Sequence, residues 1–168
     1  CEEYLKYSWK VIPIHTAING ICSCQSLQCS SPAKHPRCKN GFKDGTNNHF
    51  VVNEWYKQWP NMNIGIVTGP SSNIVVLDID TKNSGFHSLD KLEQKHGILP
   101  KSLRVKTGGG GLHIYFKNPP NVLRNKVGIV PGIDFRGAGG YIIAPPSKHI
   151  SGEHYEFVEQ NETIDDMP

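Results

Sequence analysis

Residues 74–80 read Ile74-Val75-Val76-Leu77-Asp78-Ile79-Asp80, an aliphatic run that ends on two carboxylates. Branched aliphatic residues in succession suit a buried strand. In a strand, a spacing of two turns both acids to one face. Adjacent carboxylates at a buried edge repel, and their desolvation is costly unless protons or cations intervene. A divalent cation is the simplest compensation, and hard oxygen donors of this kind suit Mg²⁺ or Mn²⁺. The plainer reading is that Asp78 and Asp80 close the strand and open the turn Thr81-Lys82-Asn83, because Asp favours turns.

Upstream, Ile64-Gly65-Ile66-Val67 reads as another strand, joined to the first by the turn signal Gly69-Pro70-Ser71-Ser72. A helix is expected to start near Ser84, bury Phe86, Leu89 and Leu92, and end at Gly97 in a left-handed cap. Strand-like stretches follow at 103–106, 112–116, 133–136 and 141–144, and residues 154–158 are a further candidate. Nearer the start, residues 4–14 alternate aromatic and aliphatic side chains up to Val11-Ile12-Pro13-Ile14, the pattern of an opening strand. Asn47 or Asn48 can cap a helix carrying Val51, Trp55 and Trp59 on one stripe, with Pro60 beyond its end. Strands and helices are mixed and the late connections resemble hairpins, so the expected class is α+β with a mainly antiparallel sheet. There is no internal repeat.

The 168 residues suffice for a single domain, so one active site is expected. With 37% hydrophobic and 20% charged residues, 17 Gly and 12 Pro, the composition is that of a loop-rich globular chain, not a coiled coil or a disordered tail. A net charge of +3 permits a polyanionic partner without identifying one. No apolar run approaches the roughly 20 residues that span a bilayer, and CEEYLKYSWK lacks the order of a signal peptide, so no membrane partner and a cytoplasmic setting are expected. The chain opens on Cys1 and stops on Met167-Pro168, which reads as a segment of a longer protein.

Two further blocks carry chemistry. Lys106-Thr107 leads into Gly108 to Gly111 and then Leu112-His113-Ile114-Tyr115-Phe116. Glycines let a backbone approach a ligand and offer N–H groups to phosphate oxygens. Strand alternation sets His113 and Tyr115 on the face opposite Leu112, Ile114 and Phe116, which makes His113 a candidate triphosphate contact. A flexible loop beside a half-buried His is the plainer account. In Gly132-Ile133-Asp134-Phe135-Arg136-Gly137, Asp134 and Arg136 share a face. They form either a strand-borne salt bridge or a third metal ligand beside a phosphate fork.

Taken in order, Asp78-x-Asp80, Thr107-Gly-Gly-Gly-Gly-Leu-His113-Ile-Tyr-Phe116 and Gly132-Ile-Asp134-Phe-Arg136-Gly-Ala-Gly-Gly140 resemble the three motifs of the archaeo-eukaryotic primase superfamily. They resemble most the bifunctional DNA primase/polymerase (prim-pol) family of plasmids, phages and bacterial mobile elements. Asn63-Ile-Gly-Ile-Val-Thr-Gly69 and Tyr141-Ile-Ile-Ala-Pro-Pro-Ser147 extend the likeness over almost the whole chain. The resemblance implies an RRM-like catalytic sheet joined to a smaller N-terminal α/β unit, with Asp78, Asp80 and Asp134 as ligands of two Mg²⁺ or Mn²⁺ ions. It implies His113 as a nucleotide-phosphate contact and catalytic residue. It further places Lys43, Thr107, Gly109, Gly110, Tyr115, Arg136, Ser147, Lys148 and His149 in the nucleotide pocket. Ala33, where the family has Gly, and Gly45-Thr-Asn-Asn48, in place of Ala-Thr-Thr-Asp, are its departures.

Residues 19–46 lose periodicity and gather Cys22, Cys24, Cys29, His35 and Cys38 in a stretch too polar to fold alone. Zinc suits such a donor set, with binding energy serving as folding energy. The resemblance favours Cys22, Cys24, Cys29 and His35 as the ligands of a structural zinc, with Cys38 as a spare or substitute. Disulfides and unligated thiols are the alternatives.

The activity implied is template-directed nucleotidyl transfer on single-stranded DNA from NTP or dNTP, with a helicase or other replication domain in the full-length chain. The rivals are a noncatalytic single-strand-binding module and a two-metal nuclease.

Overall fold

The computed structural model describes residues 2–158 together with the backbone of 165–166. Its elements are α1 (Glu2–Lys6), β1 (Val11–Ile14), β2 (Ala17–Ile18), β3 (Ile21–Cys22), α2 (His49–Gln58), β4 (Asn63–Val67), β5 (Ile74–Ile79) and α3 (Gly85–His96). They continue with β6 (Arg104–Lys106), β7 (Leu112–Lys117), β8 (Lys126–Val130), β9 (Ile133–Arg136), β10 (Tyr141–Ala144), β11 (Glu156–Phe157) and β12 (Asp165–Asp166). A seven-stranded sheet runs β11-β6-β7-β5-β9-β8, with β12 added beside β7, and a three-stranded sheet runs β1-β4-β10. Among the described residues every pairing between these strands is antiparallel except β12–β7, so the class is α+β with mostly antiparallel sheets.

Alternation along β5 and β7 divides the core in two. Ile74, Val76 and Tyr115 point toward the small sheet and join Trp9, Ile12, Ile14, Ile64 and Ile66 in one cluster. Val75, Ile114 and Phe116 point the other way, where Leu89 of α3 packs against them. Each of these side chains is at most 5% exposed except the partly buried Leu89, and burying one stabilises the fold by about 1.5–3 kcal/mol. The large sheet is therefore covered by α3 on one face and by the small sheet on the other.

Several sequence expectations change here. Residues 4–6 belong to α1, where Tyr4 and Leu5 are buried on one side of a single turn and a half, and the strand begins only at Val11. α2 is capped by the Asn48 side chain as expected, but its buried residue is Val52, with Trp55 and Tyr56 packed beside it. Val51 and Trp59 lie at the margin of that stripe. In α3 Phe86 is 41% exposed, because the helix meets the sheet through Gly85 and Leu89. Strand β8 lies where the sequence carries no strand signal. Its residues are exposed or half-buried, so no burial pattern marks them in the sequence.

Close backbone contact anchors the segment after β5. The Asp80 N–H donates to Gly132 O at 2.8 Å and the Gly85 N–H to Asp80 O at 2.9 Å. A Cβ on Gly85 would sit 2.4 Å from Gly132 O and 2.6 Å from Asp80 O, with no flexible side chain to yield. Gly85→Ala is accordingly expected to destabilise the protein by about 1–3 kcal/mol, read as a lower midpoint in urea at an unchanged slope.

Candidate functional site

The register of the large sheet brings together residues that lie far apart in the chain. Asp78 of β5 is the cross-strand partner of His113 on β7 and of Asp134 on β9. Directly opposed residues of antiparallel strands present their side chains on one face about 5 Å apart. A row His113–Asp78–Asp134 therefore crosses three strands on the face turned away from α3. One step along, Val76 pairs with Arg136, so the guanidinium rises from the same face and reaches back over the acids.

Arg136 Nη2 donates to Asp78 Oδ2 at 2.9 Å and to Asp134 Oδ2 at 2.6 Å, and its Nε donates to Asp78 Oδ2 at 3.2 Å. Asp134 Oδ1 accepts from the Gly128 N–H at 2.7 Å. His113, only 4% exposed, brings Nε2 to 3.4 Å from Asp78 Oδ1, while its Nδ1 is buried without a partner. Burial works to raise the Asp78 carboxyl, but the His113 ring and the Arg136 guanidinium outweigh it and hold it well below the usual carboxylate range. A carboxylate depressed in this way stabilises the fold fully above its unfolded pKa of about 3.9 and loses that contribution as pH falls toward the folded value. The stability advantage of wild type over Asp78→Asn is thus expected to be constant from pH 7 to about pH 5 and to shrink below about pH 4, measured by urea unfolding across that range.

Asp80 stands just past the strand. Its Oδ1 accepts from the Lys82 N–H at 2.9 Å and its Oδ2 from Asn83 Nδ2 at 3.2 Å, so it caps the short helical turn Thr81–Asn83. The capping role read from the sequence is present, and Asp80 nevertheless lines the same cleft of about 850 Å³ as Asp78, His113, Asp134 and Arg136. The three carboxylates offer the hard oxygens that suit Mg²⁺ or Mn²⁺. The positive charge of Arg136 now sits between two of them, which marks the site as one that calls for cationic compensation.

The glycine turn forms the neighbouring wall. Thr107 closes it, its Oγ1 accepting from the Gly111 N–H and its carbonyl from the Gly110 N–H, both at 2.9 Å. Gly110 has φ +87°, and Cβ atoms on Gly108 and Gly111 would fall 2.3 Å from His149 Cβ and Ile79 O. Tight packing against His149 and β5 thus accounts for Gly108 and Gly111, and the left-handed backbone for Gly110. Thr107, Gly109 and His149 line the cleft. His149 binds Ser151 Oγ through Nδ1 at 2.9 Å, and burial, then Lys34 and Lys82, lower its pKa.

Other residues expected in the pocket lie elsewhere. Tyr115 is 1% exposed in the core, its ring stacked on Trp9 at 6.0 Å, because alternation on β7 carries it under the small sheet. Gly110 forms the turn without lining the cleft, and Lys43 is exposed on the turn Gly41–Asp44 and lines neither cavity. Ser147 is buried and accepts from the Ile64 N–H at 2.8 Å, and the Lys148 backbone is held by the Asn63 side chain. Both border a separate cavity of about 470 Å³. Conversely, the cleft includes Ser31 and Lys34 from the cysteine loop, which sequence reading did not assign to it.

The cysteine loop has its own centre. The ligand atoms of Cys22, Cys24, Cys29 and His35 lie within 4.8 Å of one another, with His35 Nε2 3.4 Å from Cys22 Sγ and 3.5 Å from Cys29 Sγ. A tetrahedral ion with bonds of about 2.0–2.3 Å sets its ligands roughly 3.5–3.8 Å apart, so this cluster could hold zinc. Burial works to raise the Cys22 thiol, yet the Ala33 and Cys24 amides and the Cys24 and His35 side chains bring it down to about 6, which favours the thiolate a metal needs. The cysteines of the cluster are free thiols and Cys38 stands outside it. Among the described residues no helix is long and apolar enough to cross a membrane.

The family model described as bifunctional DNA primase/polymerase, N-terminal, matches residues 1–168. No curated protein matches the chain.

Proposed function

We propose, because the chain belongs to the bifunctional DNA primase/polymerase N-terminal family, that its cleft joins nucleotides on a single-stranded DNA template. The family supplies DNA primase/polymerase activity with DNA and nucleotides as substrates. The observation that carries the finer reading is the row His113–Asp78–Asp134, bridged by Arg136 and bordered by the glycine turn, on the wall of one cleft.

Asp78, Asp80 and Asp134 would hold two Mg²⁺ or Mn²⁺ ions. When bound, these ions would activate the attacking 3′-hydroxyl and balance charge at the displaced pyrophosphate. The remaining steps fall to the protein. Arg136, released from its two carboxylates, has a fork geometry suited to phosphate oxygens. His113 bears on Asp78 through Nε2 and so fixes the carboxylate, while its Nδ1 stays buried without a partner. The Thr107 turn, closed by its own hydrogen bonds, holds the neighbouring wall. In this reading the large antiparallel sheet under α3 is the RRM-like catalytic unit and the small sheet the N-terminal unit, with zinc in the Cys22, Cys24, Cys29 and His35 cluster as a structural staple.

The direct test is incubation with a single-stranded template and labelled NTP or dNTP in Mg²⁺ or Mn²⁺, with and without a primer. Metal-dependent, template-dependent product is expected. Retention of the template with no product would favour a noncatalytic binding module, and shortening of the template without any triphosphate would favour a nuclease.

A further inference from the structure

With Arg136 engaged between Asp78 and Asp134, the cationic groups on the cleft wall that have no carboxylate partner are on other elements. Lys34 and Lys82 both line the cleft and both are exposed. Among the described residues neither ammonium is paired with a carboxylate. Both line the cleft together with His149, whose protonation they oppose. Thr81 Oγ1 donates to Gly109 O at 3.4 Å, which ties the turn carrying Lys82 to the glycine hairpin.

Lys34 is held in place by its backbone. The Ala33 N–H donates to Cys22 Sγ at 3.3 Å, and Ala33 O accepts from Asn63 Nδ2 at 3.1 Å. The Lys34 N–H donates to Ser31 O at 3.1 Å, and Lys34 O accepts from the Tyr141 hydroxyl at 3.0 Å. One residue further on, His35 enters the metal-binding cluster. The main chain is thereby pinned on both sides while the side chain projects free, the arrangement expected of a group that reaches a ligand.

We propose that Lys34 and Lys82 form a two-lysine grip for the outer phosphates of a nucleoside triphosphate, and that the Cys22/Cys24/Cys29/His35 loop serves the reaction by carrying Lys34 into the cleft. The proposal rests on the nucleotidyl-transfer reading and deepens it. Lysine ammonium groups act as point charges on phosphate, blind to base and sugar. They bind substrate and transition state alike, so their loss raises KM more than it lowers kcat.

Calorimetric titration of the zinc-containing protein in Mg²⁺, with dATP and separately with inorganic tripolyphosphate, tests the grip. Lys34→Ala and Lys82→Ala are each expected to weaken both probes by about tenfold, with zinc content unchanged. Lys34→Arg should recover most of the loss, and Lys39→Ala, an exposed lysine outside the cleft, should match wild type. Stripping zinc should weaken tripolyphosphate binding in wild type and add little in Lys34→Ala. Undiminished binding of both probes by the two alanine variants would overturn the grip while leaving nucleotidyl transfer intact. Failure of wild type itself to bind either probe would overturn nucleotidyl transfer, and the grip with it.

Discussion

Replacing Asp78 and Asp80 together by Ala is expected to lower nucleotide incorporation by at least about 10³-fold, since charge stabilisation in a polar, preorganised site is worth several kcal/mol per group. The protein should remain folded. Asp80 is exposed, and its loss costs a cap on a short turn, about 1 kcal/mol. Asp78 is the more demanding change, because Arg136 keeps only Asp134 as a partner and His113 loses its carboxylate. Asp78→Asn, which keeps the volume, is therefore the companion variant and should be nearly as inactive. Single-turnover extension of a labelled primer reads the loss, and circular dichroism with zinc analysis verifies that fold and metal cluster persist. Incorporation surviving in the folded double variant would remove the aspartates from the chemistry.

The sequence made the elements of this site legible but not their meeting. The aliphatic run before Asp78 announces β5, and the alternation around His113 assigns its face correctly, because both signals are local and periodic. That Asp78 stands opposite both His113 and Asp134 is a fact of strand register, which joins residues more than thirty positions apart and leaves no local trace. Arg136 illustrates the same limit. Its face was readable, yet its double pairing depends on which strand lies beside β9. Lys34 was unreadable for another reason, since its place in the cleft follows from bonds with Asn63 and Tyr141, which lie beyond the loop. Tyr115 shows the converse error, where a residue sharing a face with His113 passes under the small sheet and into the core.

Removing the metal from the cysteine loop, by Cys22→Ser or by a strong chelator, is expected to release about one zinc per chain and to open residues 20–38 to hydrogen exchange. The reason lies in what the loop fails to bury. Leu27 is fully exposed, Ile18 and Ile21 are more than half exposed, and Cys22 and Ala33 are the loop's buried apolar groups. What remains without the ion is a set of hydrogen bonds to the rest of the fold, among them Arg37 to Ile14 O, Ser23 Oγ and Pro13 O, the Ser23 N–H to Thr16 O, the His15 N–H to His35 O, Asn63 Nδ2 to Ala33 O and the Tyr141 hydroxyl to Lys34 O. At about 1 kcal/mol each, these do not offset the conformational entropy of some twenty residues. The rest of the core holds no residue of this loop, so unfolding should stay local and the melting temperature should fall by roughly 10 °C rather than collapse. Cys38→Ser, outside the cluster, should keep its zinc and exchange like wild type. A chain that carries no zinc as purified, and whose exchange in 20–38 is unmoved by chelator, would reduce the four residues to unligated side chains that happen to converge.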